Sequence, residues 1–357
     1  MGNSFLHQDK EKRMSSTETF VGGLSLKNPV ILASAGYAST AKGIEQHIAR
    51  GYGAIVTKTV TIKPLGGAPK PTVFWYDPEE KMLLSGAEAL KNPGIDKMAE
   101  FLKEVMPLAK AANCKIIGSC TGNSIEEILS VAKKYEEAGA SAIELNMVCP
   151  SSGPHLGPDY AQVGKWWAAE AERATALITK LQKALQIPVW AKLPLERLID
   201  KKFFDQLLSS PPDAISFVGG RLPNLKINVE TGEPLLPGNL KVMIEQSIPI
   251  SPMVTGPVKP STILHTAYLA KQTTVPLVCS GGLEKGEDVL EALMAGASAV
   301  QICKAVYRNI DAGQKIISQF SEALIKYNYS SVKEIKGKAL SFLPNPPLLT
   351  VPMARWL

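Results

Sequence analysis

The amino-acid sequence predicts an α/β fold, a (β/α)8 TIM barrel, on three observations. Eight short apolar runs recur along the chain, helix-like amphipathic stretches alternate with them, and no composition break divides the two halves. The runs are Val30–Ala33, Ala54–Lys58, Lys115–Ser119, Ala142–Asn146, Val189–Leu193, Ala214–Phe217, Leu277–Ser280 and Ala299–Cys303. Most lack polar alternation, as strands buried on both faces do. Pro29, Pro188 and Pro276 each stand just before a run, where a missing N–H does least harm to a ladder.

Helices are expected over Ile95–Ala111, Ser124–Ala138, Ala161–Leu185 and Glu287–Ala295. Ser124 with Glu127 three positions later has the form of a capping box, and Gly139 and Gly296 stand where helices should stop. The long gaps between runs follow the second, fourth and sixth strands. Insertions in those βα loops would decorate the face on which such barrels carry their sites. The polar residues 1–20 read as a loose N-terminal arm, and residues 21–357 as one domain.

Composition excludes several classes. The 357 residues are 45 % hydrophobic and 20 % charged, with a net charge of +6. The densest basic cluster, Lys10–Glu11–Lys12–Arg13, is too short for a nucleic-acid arm. Cys114, Cys120, Cys149, Cys279 and Cys303 form no C-x-x-C pair, and the four histidines share no ligand spacing, so no metal site is expected. Without an apolar span or a signal core, the expectation is a cytoplasmic protein away from membranes.

Chemistry-bearing residues cluster at the carboxyl ends of the expected strands. Small residues Ala33 and Ser34 end the first, Lys58 and Thr59 the second, Ser119 the third, Asn146 the fourth and Lys192 the fifth. A buried lysine alone is well explained by snorkelling, but two lysines and an asparagine at one mouth call for anionic or hydrogen-bonding partners. Gly281 and Gly282 follow strand seven, and Cys303 and Lys304 follow strand eight, where barrels bind phosphate through backbone N–H groups. The segment Glu144–Pro158 is rich in Gly, Pro and Ser. Cys149 at its root is either a structural thiol or an acid/base, and His155 is either exposed or tunes it.

These residues resemble the dihydroorotate dehydrogenase family, with the related catalytic region of dihydropyrimidine dehydrogenases, over about residues 20–340. The resemblance rests on Asn28–Pro29 leading to Ala33–Ser34, on Val56–Thr57–Lys58–Thr59–Val60–Thr61, and on Glu144–Leu145–Asn146 followed by Cys149–Pro150. It continues in Ala191–Lys192–Leu193, Thr255–Gly256–Pro257, Ser280–Gly281–Gly282 and Gly296–Ala297 with Val300–Gln301–Ile302. It implies FMN across the strand ends. Ala33, Ser34, Lys58, Thr59, Ser119, Asn146 and Lys192 would surround its ring and ribityl chain, with Gly256, Gly281, Gly282, Cys303 and Lys304 at its phosphate. It also implies oxidation or reduction of a C–C bond beside a carbonyl, with Cys149 moving the proton, hydride exchange at the flavin N5, and Lys58 stabilising negative charge.

The sequence departs from the family at the substrate. Of four expected pyrimidine-binding asparagines Asn146 is present, but the first stretch reads Gly86–Ala87–Glu88–Ala89–Leu90–Lys91–Asn92, the position after Cys149–Pro150 is Ser151, and the end of strand six reads Phe217–Val218. Unpaired ring amides would each cost about 1–3 kcal/mol. The expected substrate is therefore an unsaturated or dihydro carbonyl compound other than orotate, with Phe217 lining its pocket and Arg221 anchoring a carboxylate. Electrons would pass to an iron–sulfur/flavin subunit or to a soluble acceptor, and a homodimer or higher oligomer is expected. A dihydroorotate or dihydropyrimidine dehydrogenase with an atypical pocket, a flavin-free lyase or isomerase on the same barrel, and an inactive structural subunit are the alternatives.

Overall fold

The computed structural model describes residues 15–67, 73–77, 82–85, 90–149, 157–219, 222–223, 226–227, 229–232, 234–235, 253–255 and 258–344. Its centre is a closed parallel barrel. The strands are β1 (Val30–Leu32), β2 (Ala54–Val56), β3 (Lys115–Cys120), β4 (Ala142–Asn146), β5 (Val189–Leu193), β6 (Ala214–Val218), β7 (Leu277–Ser280) and β8 (Ala299–Ile302). They pair in chain order, and β8 closes on β1 with Val300 opposite Val30.

Each strand leads to a helix on the outside: α1 (Ala41–Ile48), α2 (Ile95–Ala111), α3 (Ile125–Glu137), α4 (Ala171–Ala184), α5 (Lys201–Leu208), α6 (Lys259–Ala270), α7 (Gly286–Met294) and α8 (Ala312–Lys326). Ser124 caps α3 through the Glu127 N–H at 3.1 Å. The Glu127 carboxylate reaches back one residue further than a capping box requires, to the Asn123 N–H at 2.9 Å. The expected helix from Ala161 begins instead at Ala171. Two 3-10 turns, Pro158–Tyr160 and Gly164–Trp166, precede it, because Gly164 sits at φ +57° with its Cα face against the Cys149 carbonyl.

Successive strand residues face opposite layers, since the side-chain period is two. Ile55, Ile116, Ile143, Ala191, Ile215, Leu277 and Val300 belong to the large core shared with the helices. Ile31, Ala54, Val56, Ile117, Ala142, Trp190, Ala214, Val278 and Ala299 form a second core inside the barrel. Gly118 faces outward, where a Cβ would stand 2.5 Å from the Tyr135 ring.

The amino-terminal end of the barrel is closed by a hairpin, Thr19–Val21 paired with Leu24–Leu26, whose Val21, Leu24 and Leu26 join that inner core. Its turn needs glycine: Gly22 lies at φ +50°, and its carbonyl accepts from Trp190 Nε1 at 2.9 Å. A Cβ on Gly22 would stand 2.3 Å from that nitrogen. Residues 15–20, expected in the loose arm, are thus held. Ser15 Oγ donates to the Tyr329 carbonyl at 2.7 Å, and the Ser16 N–H to that of Ser330 at 2.9 Å. Thr19 then enters the hairpin with its hydroxyl on the Ser298 carbonyl at 2.8 Å.

At the opposite end, the chain between β2 and α2 carries strands Val73–Asp77 and Met82–Ser85. That between β6 and α6 carries Leu222–Pro223 and Met253–Thr255. These four join one antiparallel sheet, with Met253–Thr255 pairing against Met82–Ser85. The two insertions are therefore one piece of structure above the strand ends. The segment after β4 is held between Thr121 and Cys149: Thr121 Oγ1 accepts from Gly164 N–H at 3.0 Å, and the Cys149 carbonyl from Lys165 N–H at 2.9 Å.

Candidate active site

Strands β1 to β4 bring four polar side chains into one hydrogen-bonded floor at the barrel mouth. The Ser34 Oγ lies 3.2 Å from Thr59 Oγ1 and accepts from the Thr59 N–H at 3.0 Å. Thr59 Oγ1 lies 2.8 Å from Ser119 Oγ and accepts from Asn146 Nδ2 at 3.0 Å. Ser119 is itself supported from outside the barrel. Thr57 Oγ1 accepts its N–H at 3.1 Å, and Tyr135 Oη donates to its carbonyl at 3.2 Å while pairing with Thr57 Oγ1 at 2.8 Å. Burial of that phenol pushes its pKa well up, so it stays a neutral donor.

Asn146 links this floor to Cys149. Its Oδ1 accepts from the N–H groups of Val148 and Cys149, each at 3.1 Å, so the turn that carries the thiol is anchored on the floor's own amide. Cys149 is partly exposed and packs against a small cluster of Leu65, Leu90 and Val163 with Tyr160. Cys114, Cys120 and Cys279 are buried, and burial drives their thiols up, to about 12, well up and to about 11 respectively. Those three are chemically inert. Lys58 is buried beside the floor, with its N–H on the Ala38 carbonyl at 2.9 Å.

A second polar layer lies across the barrel. Lys192 on β5 donates to Gln301 Oε1 at 2.8 Å and faces Glu144 Oε1 at 3.4 Å. Glu144 Oε2 accepts from Ser216 Oγ at 2.8 Å and from Gln301 Nε2. Sequence reasoning assigned no role to Glu144, Ser216 or Gln301. Each is a polar residue inside a doubly buried apolar run, and that is the signal that could have found them.

At the last two strands, Gly281 and Gly282 both occupy positive φ, +114° and +74°, and a Cβ on Gly282 would stand 2.5 Å from the Lys259 nitrogen. Cys303 follows β8, and Lys304 pairs with Glu284 at 2.6 Å, which also takes Arg308 at 3.1 Å. The charge expected for a phosphate is thus shared with a carboxylate. Phe217 requires correction. Its neighbour Ser216 points into the barrel, so Phe217 points outward into the helix-side core, fully buried, and cannot line the mouth. The inward residue at that strand end is Val218, by the same parity. Gly256, Ser151, Arg221 and His155 lie outside the described residues.

The residues present fit FMN. Small Ala33 and Ser34 leave room for a flat ring, while hydroxyls, an amide and an ammonium offer donors to its carbonyls. Glycines at positive φ let a phosphate approach the backbone beyond β7. Among the described residues no group of ligands could hold a metal ion, and no helix is long and apolar enough to cross a membrane.

By its relatives this barrel falls in a class, the flavin-dependent oxidoreductases acting on CH–CH groups. The family model described as dihydroorotate dehydrogenase matches residues 16–324, and the chain belongs to that family, whose enzymes bind FMN. Among curated relatives, "Dihydroorotate dehydrogenase B (NAD(+)), catalytic subunit" of Archaeoglobus fulgidus is 32 % identical over 321 residues, covering 88 % of this chain and 94 % of the relative. The protein of the same name from Bacillus pumilus is 27 % identical over 319 residues, covering 89 % and 94 %. Among solved structures, the dihydroorotate dehydrogenase of Eimeria tenella in complex with ferulenol superposes with a TM-score of 0.72 at 18 % identity, covering 95 % of this chain and 92 % of that one, which bears on the fold.

Proposed function

We propose that this chain is the FMN-holding catalytic component of an oxidoreductase that transfers hydride at a C–C bond next to a carbonyl, with a substrate other than orotate. The observation that carries the reading is the joining of the Ser34–Thr59–Ser119–Asn146 floor to the Cys149 turn through one amide. Bound FMN would supply the hydride-exchanging ring. Cys149 would hold or take the proton at the carbon next to the carbonyl, on a turn whose backbone is fixed at both its N–H and its carbonyl. Lys58 and Lys192, both buried, would hold positive charge where negative charge develops.

The substrate reading is supported by the β6 end, where the inward side chains are a serine already bonded to Glu144 and a valine. Neither presents the paired donor and acceptor of an amide. Relatives named as catalytic subunits support electron exchange with a partner subunit. The names of those relatives also favour a second reading, a dihydroorotate dehydrogenase with an atypical pocket. Anaerobic bleaching of the bound flavin by dihydroorotate, dihydrouracil and a panel of saturated carbonyl compounds, with reoxidation by enones and enoates, separates the two. Fast bleaching by dihydroorotate would establish the second reading and overturn the first.

A further inference from the structure

We infer that Glu144 is a positioning residue that acts on the flavin site through Lys192, offsetting part of the ammonium's field and fixing its place in the mouth. The inference rests on the FMN reading and adds a residue to it.

Four side chains inside the barrel carry the argument. Glu144 and Ser216 are fully enclosed, Gln301 is 1 % exposed and Lys192 is 8 % exposed. A carboxylate at that depth requires a charge partner, because desolvation without one is very costly. Among the described residues Lys192 is its ion-pair partner. The pairing is nevertheless loose. At 3.4 Å it exceeds the roughly 2.7–2.9 Å of a charge-assisted bond, whereas the neutral Gln301 oxygen holds the same ammonium at 2.8 Å.

The amide of Gln301 closes the set into a ring. Its oxygen accepts from Lys192 and its nitrogen donates to Glu144, which also accepts from Ser216. One amide therefore sets the distance between the two charges. Strand register pairs Lys192 with Asn146 on one side and Ser216 on the other, while Glu144, two residues before Asn146 on β4, pairs with Ser119. The ammonium is thus next to one floor residue, Asn146, and the carboxylate next to another, Ser119. A full ion pair would quench the ammonium's field at the mouth, and no counter-charge would leave that field unopposed. The ring holds an intermediate condition.

The test uses the FMN-loaded protein and two readouts that need no turnover, the flavin midpoint potential and the FMN dissociation constant. Glu144→Gln, nearly isosteric, removes the counter-charge, and the expected shift of the potential is to more positive values. Gln301→Leu removes the short contact and lets the ammonium close on Glu144, and the expected shift is negative. Both shifts should vanish when the same substitutions are made beside Lys192→Met. Shifts of equal size in both backgrounds, or no shift in the background that retains Lys192, would overturn the inference. Failure of the unsubstituted protein to bind FMN would instead overturn the assignment of the site, and the two failures are thus distinguishable.

Discussion

The inner surface of the barrel is built in two layers from the same strands, two residues apart. In the lower layer stand Ile117, Ala142, Trp190, Ala214 and Ala299, sealed by the hairpin. In the upper layer, one inward position further along the same five strands, stand Ser119, Glu144, Lys192, Ser216 and Gln301. Two residues of strand span about 6.6 Å. Within that distance the interior changes from a plug whose apolar burial stabilises the fold to a charged, fully partnered mouth.

The difference separates stability from activity, and substitutions can break or sharpen it. Trp190→Ala empties the lower layer and leaves the Gly22 carbonyl without its donor. The expected loss is about 3–5 kcal/mol, read by chemical denaturation, with the spectrum of bound flavin unchanged in protein that still folds. Cys149→Ala is the converse. Turnover should fall about 10²–10⁴-fold, measured in stopped flow, while FMN binding and melting temperature hold.

A third position tests whether acid sensitivity arises in the upper layer or in the helix shell. His47 on α1 is buried between the rings of Tyr37 and Tyr52, and burial lowers its pKa to about 4, with Arg50 adding to the effect. The folded state keeps this ring neutral while the unfolded chain takes up a proton below about 6.5. Stability from this group is complete above pH 6.5 and declines as pH falls towards 4, by about 3 kcal/mol in all. His47→Leu should flatten that leg of a stability-against-pH series; an unchanged leg would place the titration elsewhere. The smallest effect is expected for Tyr135→Phe. Removing its hydroxyl from Thr57 and Ser119 should cost about 1–2 kcal/mol in denaturation. FMN binding should weaken slightly, because Ser119 loses its outer support.

The strands were legible because burial on both faces writes them as apolar runs, and the ends of all eight agree with the sequence reading to within two residues. Helix α2 was legible from its apolar period, Ile95, Met98, Leu102, Val105 and Ala109, and α3 from its Ser124 cap and the glycine, Gly139, that follows it. The floor was legible as residues at strand ends, since parallel barrels place those ends together. The roles of Glu144, Ser216 and Gln301 were not. Glu144 and Gln301 interrupt apolar runs, and only the register shows that they meet. Phe217 illustrates the limit. Inward and outward faces differ by one residue, so a strand end placed correctly can still be assigned the wrong side. The start of α4 was missed because Gly164 is held by Thr121 and packs against Cys149, contacts that sequence periodicity does not contain.

The ladder between Val30 and Val300, with Ser16 bridged to Ser331, has a consequence for how the molecule is made. A ribosome delivers the first strand long before its last neighbour, so during synthesis one flank of the growing sheet stays open until about three hundred residues have emerged. The hairpin's outer strand must wait longer still, since its approach is tied down by residues near 330. The contacts of residues 15–32 with the last strand and with residues near 330 therefore form only after most of the barrel has been synthesised.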